Sequence, residues 1–353
     1  MPELDDTEPP VGEDVAARAA ALAQEWAAPR DQRVARDLLE GALGLVGDHP
    51  DQLDLKIAAA AVTEMRQAFR MFEPYGKIPK VSVFGSARTT ADDPVYAQAA
   101  AVAKTLAERG WMVVTGAGPG IMQAAMEGAG REQSIGVAIR LPFEQGANPV
   151  IAGDEKFVSM RYFFTRKLML VKESAAFVCL PGGFGTLDET FELLTLTQTG
   201  KGLPVPIVLL DTPGDPFWSS IDDLIRRQLV ARGLVGEDDT NLYLVTDSCD
   251  EAVAEIDRFY ANYHSLRYVG DDLVLRLRHA PTDEQLAALN ERFGHLVERG
   301  RIQRSGPLPV ERRHDDEVDR PRLRFAIRRH RSGDLRALID AVNEWVAPAT
   351  SSG

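Results

Sequence analysis

Residues 181–189 read Pro-Gly-Gly-Phe-Gly-Thr-Leu-Asp-Glu and follow an apolar run at 175–180. Glycines let a backbone approach a ligand closely, and a helix opening at Thr186 presents free N–H groups to an anion. Such a segment is a phosphate cradle. The same residues also fit a capping box, in which Thr186 and Glu189, three positions on, satisfy the first donors of the helix with no ligand. Three glycines and a proline are more than a cap requires, and this favours ligand binding. A second segment, residues 160–169, sets adjacent cations Arg166 and Lys167 on an otherwise apolar helical pattern. A guanidinium suits two-pronged recognition of phosphate or carboxylate; two solvated charges on a helix flank are the ordinary alternative.

Other chemistries find less support. No histidine lies between His49 and His264, so imidazole acid–base or metal chemistry is not expected from the middle of the chain, and no cofactor or metal is called for. Cys179 and Cys249, seventy residues apart, form neither a disulfide framework nor a zinc signature and read as free thiols of a reducing compartment. The turn at 116–121 has Ile121 where a dinucleotide fingerprint needs its third glycine. With 40 basic and 53 acidic residues the formal charge is −13, so nucleic acid and anionic membranes are not expected partners and an anionic ligand must be held by a specific site.

The elements that must position these residues are legible as alternation. Strand-like runs at 81–84, 111–115, 135–141, 175–180 and 206–210, with a further candidate at 242–246, are separated by helical patterns near 92–109, 121–132, 160–172, 186–197, 216–232 and 248–263. Strands alternating with helices imply an α/β fold with a doubly wound, Rossmann-like parallel sheet, whose ligands bind beyond the carboxyl ends of the strands. Around this core we expect a flexible acidic tail (1–13), an N-terminal helical extension (14–77), a nucleotide-binding catalytic domain (78–264), an Arg-rich α+β C-terminal domain (265–347) and a short tail (348–353). Residues 266–353 hold 16 Arg, no Lys and 14 acidic residues; the cluster of Arg322, Arg324, Arg328, Arg329, Arg331 and Arg336 could contact nucleic acid or a regulatory nucleotide, but with Asp315, Asp316, Glu317 and Asp319 just upstream, pairing within the chain or a solvated face is expected. There is no long uninterrupted apolar stretch and no basic, apolar leader, so a soluble, cytoplasmic protein is expected.

Four segments in one order, residues 81–88 (VSVFGSAR), 115–122 (TGAGPGIM), the Arg166-Lys167 pair and 181–189 (PGGFGTLDE), resemble the LONELY GUY (LOG) family, also labelled lysine decarboxylase-like. The resemblance covers roughly residues 78–262. It implies a phosphoribohydrolase that cleaves the N-glycosidic bond of a nucleoside 5′-monophosphate, AMP or a cytokinin riboside monophosphate, and a homo-oligomer with the site at a subunit interface. Carried over by position, it implies catalytic roles for Arg166 and Glu189. It also implies substrate contacts from Gly85, Ser86, Gly118, Met160, Lys167, Gly182, Gly183, Gly185 and Thr186. The stretch before Arg166, Arg161-Tyr162-Phe163-Phe164-Thr165, departs from the shorter members, which bears on base preference. Decarboxylation is not expected, because no lysine of the core sits in a recognisable Schiff-base context. The alternative is a carrier of nucleotide or molybdenum cofactor with the same fold, and Glu189 discriminates, since a carrier has no need of a carboxylate beside the ribose.

Overall fold

The computed structural model describes residues 13–141, 146–328 and 331–346. The chain divides into two units, at Arg66/Gln67, where the sequence reading set the end of the helical extension at 77/78. In the first, α1 (Glu13–Trp26) lies against α2 (Gln32–Gly47), and α3 (Gln52–Phe72) begins. The expected helices are present, yet α2 buries no residue and Trp26, Val34 and Leu38 are exposed.

In the second unit, seven parallel strands run in the order β4-β3-β2-β1-β5-β6-β7: β1 (Lys80–Phe84), β2 (Met112–Thr115), β3 (Ser134–Ile139), β4 (Phe157–Met160), β5 (Ala176–Cys179), β6 (Ile207–Leu210) and β7 (Leu244–Thr246). The central strands are short apolar runs because both faces are covered. One face meets α4 (Pro94–Glu108), α5 (Ile121–Ala129) and α9 (Cys249–Phe259) through a core that includes Val81, Val83, Val113, Val178 and Val208. On the other, α6 (Phe163–Lys172) joins β1 through Ser82 Oγ, which donates to Leu170 O at 3.3 Å. Local signals fix helix starts: Asp93 accepts from Val95 N at 2.9 Å with Pro94 at the first helical position, and the Ser248 hydroxyl caps α9. The doubly wound parallel sheet is therefore the observed core. One of its strands, β4, has no counterpart in the sequence reading.

The C-terminal part is an antiparallel sheet in the order β10-β11-β9-β8: β8 (Tyr263–Val269), β9 (Asp272–Leu277), β10 (Val297–Ser305) and β11 (Arg322–Ile327). Helices α10 (Asp283–Phe293) and α12 (Ser332–Asn343) cover the face carrying Leu273, Leu275, Leu323 and Phe325. Strand β8 starts before the boundary expected at 264/265. The arginines pair within the chain, but largely with partners other than the acidic run: Arg276 and Arg322 converge on fully buried Glu311, Arg324 meets Asp272, and Arg336 bonds Glu255 and Asp340. Arg329, residues 1–12 of the expected acidic tail and the tail at 348–353 lie outside the described residues, and residue 13 already belongs to α1.

Candidate functional site

The strand order reverses between β1 and β5, since the chain moves outward from β1 through β2, β3 and β4 and then returns to the other side of β1 as β5. At such a point the loops leaving the two strands part and open a crevice. Here they remain in contact at their bases: Ser86 N donates to Pro181 O at 3.3 Å, and Ile121 N donates to Ser86 O at 3.0 Å. Glycine is required where these backbones meet. A Cβ on Gly182 would lie 2.2 Å from Thr186 Oγ1, and one on Gly120, which has φ +67°, would lie 2.3 Å from Ser86 O. The result is a cleft of about 900 Å³ bounded by the ends of β1, β2 and β3, by α6 and by the start of α7 (Phe184–Gln198).

Helix α7 opens two residues earlier than the sequence reading placed it. Its N-cap is Gly183, in extended backbone, with no side-chain cap, and the first helical bond runs from Leu187 N to Gly183 O at 3.0 Å. Thr186 is thus the third helical residue, and the alternative reading of the motif as a capping box does not hold. The N–H groups of Phe184, Gly185 and Thr186 precede the hydrogen-bonded ladder, and these residues line the cleft. An uncapped first turn with partial positive charge is what an anion binds.

Glu189, released from capping, meets Arg166. The nearest approach is 3.2 Å from Arg166 Nη2 to Glu189 Oε1, with both side chains almost buried. Arg166 projects from α6 and is held at its other side by Val137 O, which accepts from Nε at 3.2 Å. Gly116 completes the seat: a Cβ there would lie 2.5 Å from Arg166 Nη2. Burial pushes the Glu189 carboxyl above its ordinary value, against the opposing pull of the Arg166 and Lys167 charges. Behind it, burial pushes the Cys179 thiol up to about 12, so no thiolate nucleophile is available there near neutral pH.

Of the sequence-derived site residues, Gly85, Ser86, Gly118, Arg166, Gly183, Gly185, Thr186 and Glu189 line the cleft together. Three do not. Gly182 lies behind Thr186 and serves the loop contact described above. Met160 is buried at the end of β4, its carbonyl accepting from Arg140 N at 2.8 Å. The Lys167 ammonium turns to Asp188 at 2.7 Å and Glu192 at 2.8 Å on α7, so its charge is already paired. The cleft also contains charges that the sequence reading passed over, Arg88 on the loop after β1 and Arg140 at the end of β3. Both follow the carboxyl end of a strand in the parallel sheet, and that position was the available signal. Among the described residues no group of His, Cys, Asp and Glu is arranged to hold a metal ion, and no helix is long and apolar enough to cross a membrane.

Fold and cleft together define a doubly wound α/β protein with an open helix N-terminus and a carboxylate–guanidinium pair at its switch point. The family model described as "possible lysine decarboxylase" matches residues 120–256, and this part of the chain is similar to the LOG/lysine decarboxylase-like proteins. It is similar to the cytokinin riboside 5′-monophosphate phosphoribohydrolase LOG of Oryza sativa subsp. japonica, with 32% identity over 167 residues. That match covers 45% of this chain and 65% of the rice protein. The Arabidopsis thaliana phosphoribohydrolase LOG7 is 25% identical over 225 residues, covering 62% of this chain and 100% of its own length. Among solved structures, the Moco carrier protein of Chlamydomonas reinhardtii matches at 22% identity, with a TM-score of 0.36, over 52% of this chain and 97% of that one.

Proposed function

We propose that the protein is a nucleoside 5′-monophosphate phosphoribohydrolase, releasing free base and ribose 5-phosphate from AMP or a cytokinin riboside monophosphate. The observation that carries this reading is Glu189: a nearly buried carboxylate, free of any capping duty, held by Arg166 in the wall of the cleft that also contains the open N-terminus of α7. Breaking a ribosyl C–N bond builds positive charge on the sugar, and a fixed carboxylate beside it stabilises that charge and accepts a proton from the attacking water. The water oxygen bonds to C1′, the C–N electron pair leaves with the base, and the base nitrogen takes up a proton. Arg166 orients Glu189 and faces the departing base, while the first turn of α7 receives the 5′-phosphate.

The test is incubation of the purified protein with a panel of nucleoside monophosphates and their nucleosides, with free base and ribose 5-phosphate separated by chromatography. Base release from monophosphates, with much slower release from nucleosides, is the expected result. Tight nucleotide binding with no release of base would favour the carrier reading, and equal rates on nucleoside and nucleotide would remove the phosphate cradle from the mechanism.

A further inference from the structure

We propose that Arg88 is a further substrate-binding residue, whose guanidinium joins the first turn of α7 in holding the anionic end of the ligand and makes the site choose a phosphorylated ribose over a plain one. The identity of the ligand rests on the phosphoribohydrolase reading; the need for a second cation rests on charge in the cleft. A helix N-terminus offers roughly half an elementary charge. A phosphate monoester near neutral pH carries about −1.5 to −2. Most of that charge must be met by something else.

The other cations in and around the cradle are accounted for. Arg166 is paired with Glu189, and Lys167 with Asp188 and Glu192. Arg140 stands at the end of β3, two strands from β1, with its guanidinium on Ser159 O at 3.3 Å. At roughly 4.8 Å per strand, β3 lies about 10 Å from β1 and further still from the β5 end of the cleft, where α7 begins. Arg88 is on the near side. Its loop touches the cradle through the Ser86–Pro181 bond, and its own N–H donates to Ser86 Oγ at 3.0 Å, which fixes the turn that carries it. Arg88 lines the cleft and has no carboxylate partner among the described residues. An exposed guanidinium of this kind gains a charge-assisted, two-pronged bond to phosphate without first breaking another.

The experiment is calorimetric titration of the wild-type chain, Arg88→Ala and Arg88→Lys with ribose 5-phosphate, with ribose as the uncharged control, together with thermal unfolding of each protein. We expect Arg88→Ala to weaken ribose 5-phosphate binding by roughly 10- to 100-fold, Arg88→Lys to restore part of the loss, and added salt to weaken the wild type more than the alanine variant. The preference for nucleotide over nucleoside in kcat/KM should fall by a similar factor. Binding of ribose 5-phosphate by Arg88→Ala within about threefold of wild type, with an unchanged melt, would overturn the proposal. So would a wild-type protein that does not bind ribose 5-phosphate at all. If ribose 5-phosphate binding depends on Arg88 yet no base is ever released, the hydrolase reading fails and the role of Arg88 stands.

Discussion

Glu189→Gln separates catalysis from architecture at the residue on which the functional reading depends. Glu189 does not cap α7, so the substitution takes nothing from the helix start; it removes one negative charge and leaves an oxygen that still accepts from Arg166. The structural cost is the loss of charge from one nearly buried pair, about 1–3 kcal/mol, or a melting temperature lower by several degrees. The catalytic cost is larger. A carboxylate about 4 Å from a developing ribosyl cation, at an effective dielectric constant of about 20, contributes about 4 kcal/mol. At 1.36 kcal/mol per decade that is roughly a 10³-fold loss of turnover. Initial rates of base release should be measured well below the melting temperature of both proteins, with unfolding followed on the same preparations. The wild type adds a pH signature. Because burial holds the Glu189 carboxyl above its ordinary 4.5, turnover should fall on acidification through a value above 4.5, and the Gln variant should lack that limb. For stability the sign is opposite: the raised value contributes stability that is complete below the ordinary glutamate value and is lost as pH rises through the folded one. A Gln variant that turns over within about threefold of wild type would refute the assignment, since the charge would then contribute less than about 1 kcal/mol.

Gly116→Ala is expected to act on the guanidinium without touching either charged residue: the new Cβ would sit 2.5 Å from Arg166 Nη2, and the displacement should cost about 10²-fold in turnover with the fold retained, as checked by activity and circular dichroism. Turnover measured after treatment with a strong chelator should be unchanged, since no metal-ligating cluster occurs among the described residues; restoration of lost activity by one added metal would count against a carboxylate-only mechanism. Association into at least a dimer is expected, because Phe164 and Leu168 on α6 and Phe184 at the start of α7 expose large apolar surface beside the cleft. Light scattering should report a mass above that of one chain, and Leu168→Arg should lower it; a fully active monomer at micromolar concentration would contradict this.

What the sequence could and could not disclose follows from where each signal resides. The central parallel strands are buried on both faces, so they are short apolar runs, and Val81–Phe84 and Ala176–Cys179, each followed within three residues by glycine, could hardly be read otherwise. Strand β4 is four residues whose burial alternates, too short for a period to show, and β10, with Glu298, Arg299, Arg301 and Arg304, has the composition of a loop because it forms an exposed edge. No sequence signal names the partner of Arg276 or Arg322; only the fold brings buried Glu311 between them, from a short helix that composition alone describes as polar loop.

The site shows the same limit more sharply. The motif of Pro181 to Glu189 lies at the cleft, but its register depended on which residue began the helix. Starting at Thr186, Glu189 would be near enough to the N-cap to bond back to it; starting at Phe184, it is the sixth helical residue, about 7.5 Å further along the axis than the first. The two registers assign the same carboxylate to incompatible duties. What decides between them is Gly183, which can cap a helix with no side chain and so releases both Thr186 and Glu189. A glycine's capping leaves no mark in the sequence beyond the glycine itself, whereas a threonine followed by a glutamate announces a box whether or not it forms. The functional assignment of Glu189 therefore rests on a backbone choice at a residue that has no side chain, and on Arg166, twenty-three positions away, being brought to 3.2 Å by α6.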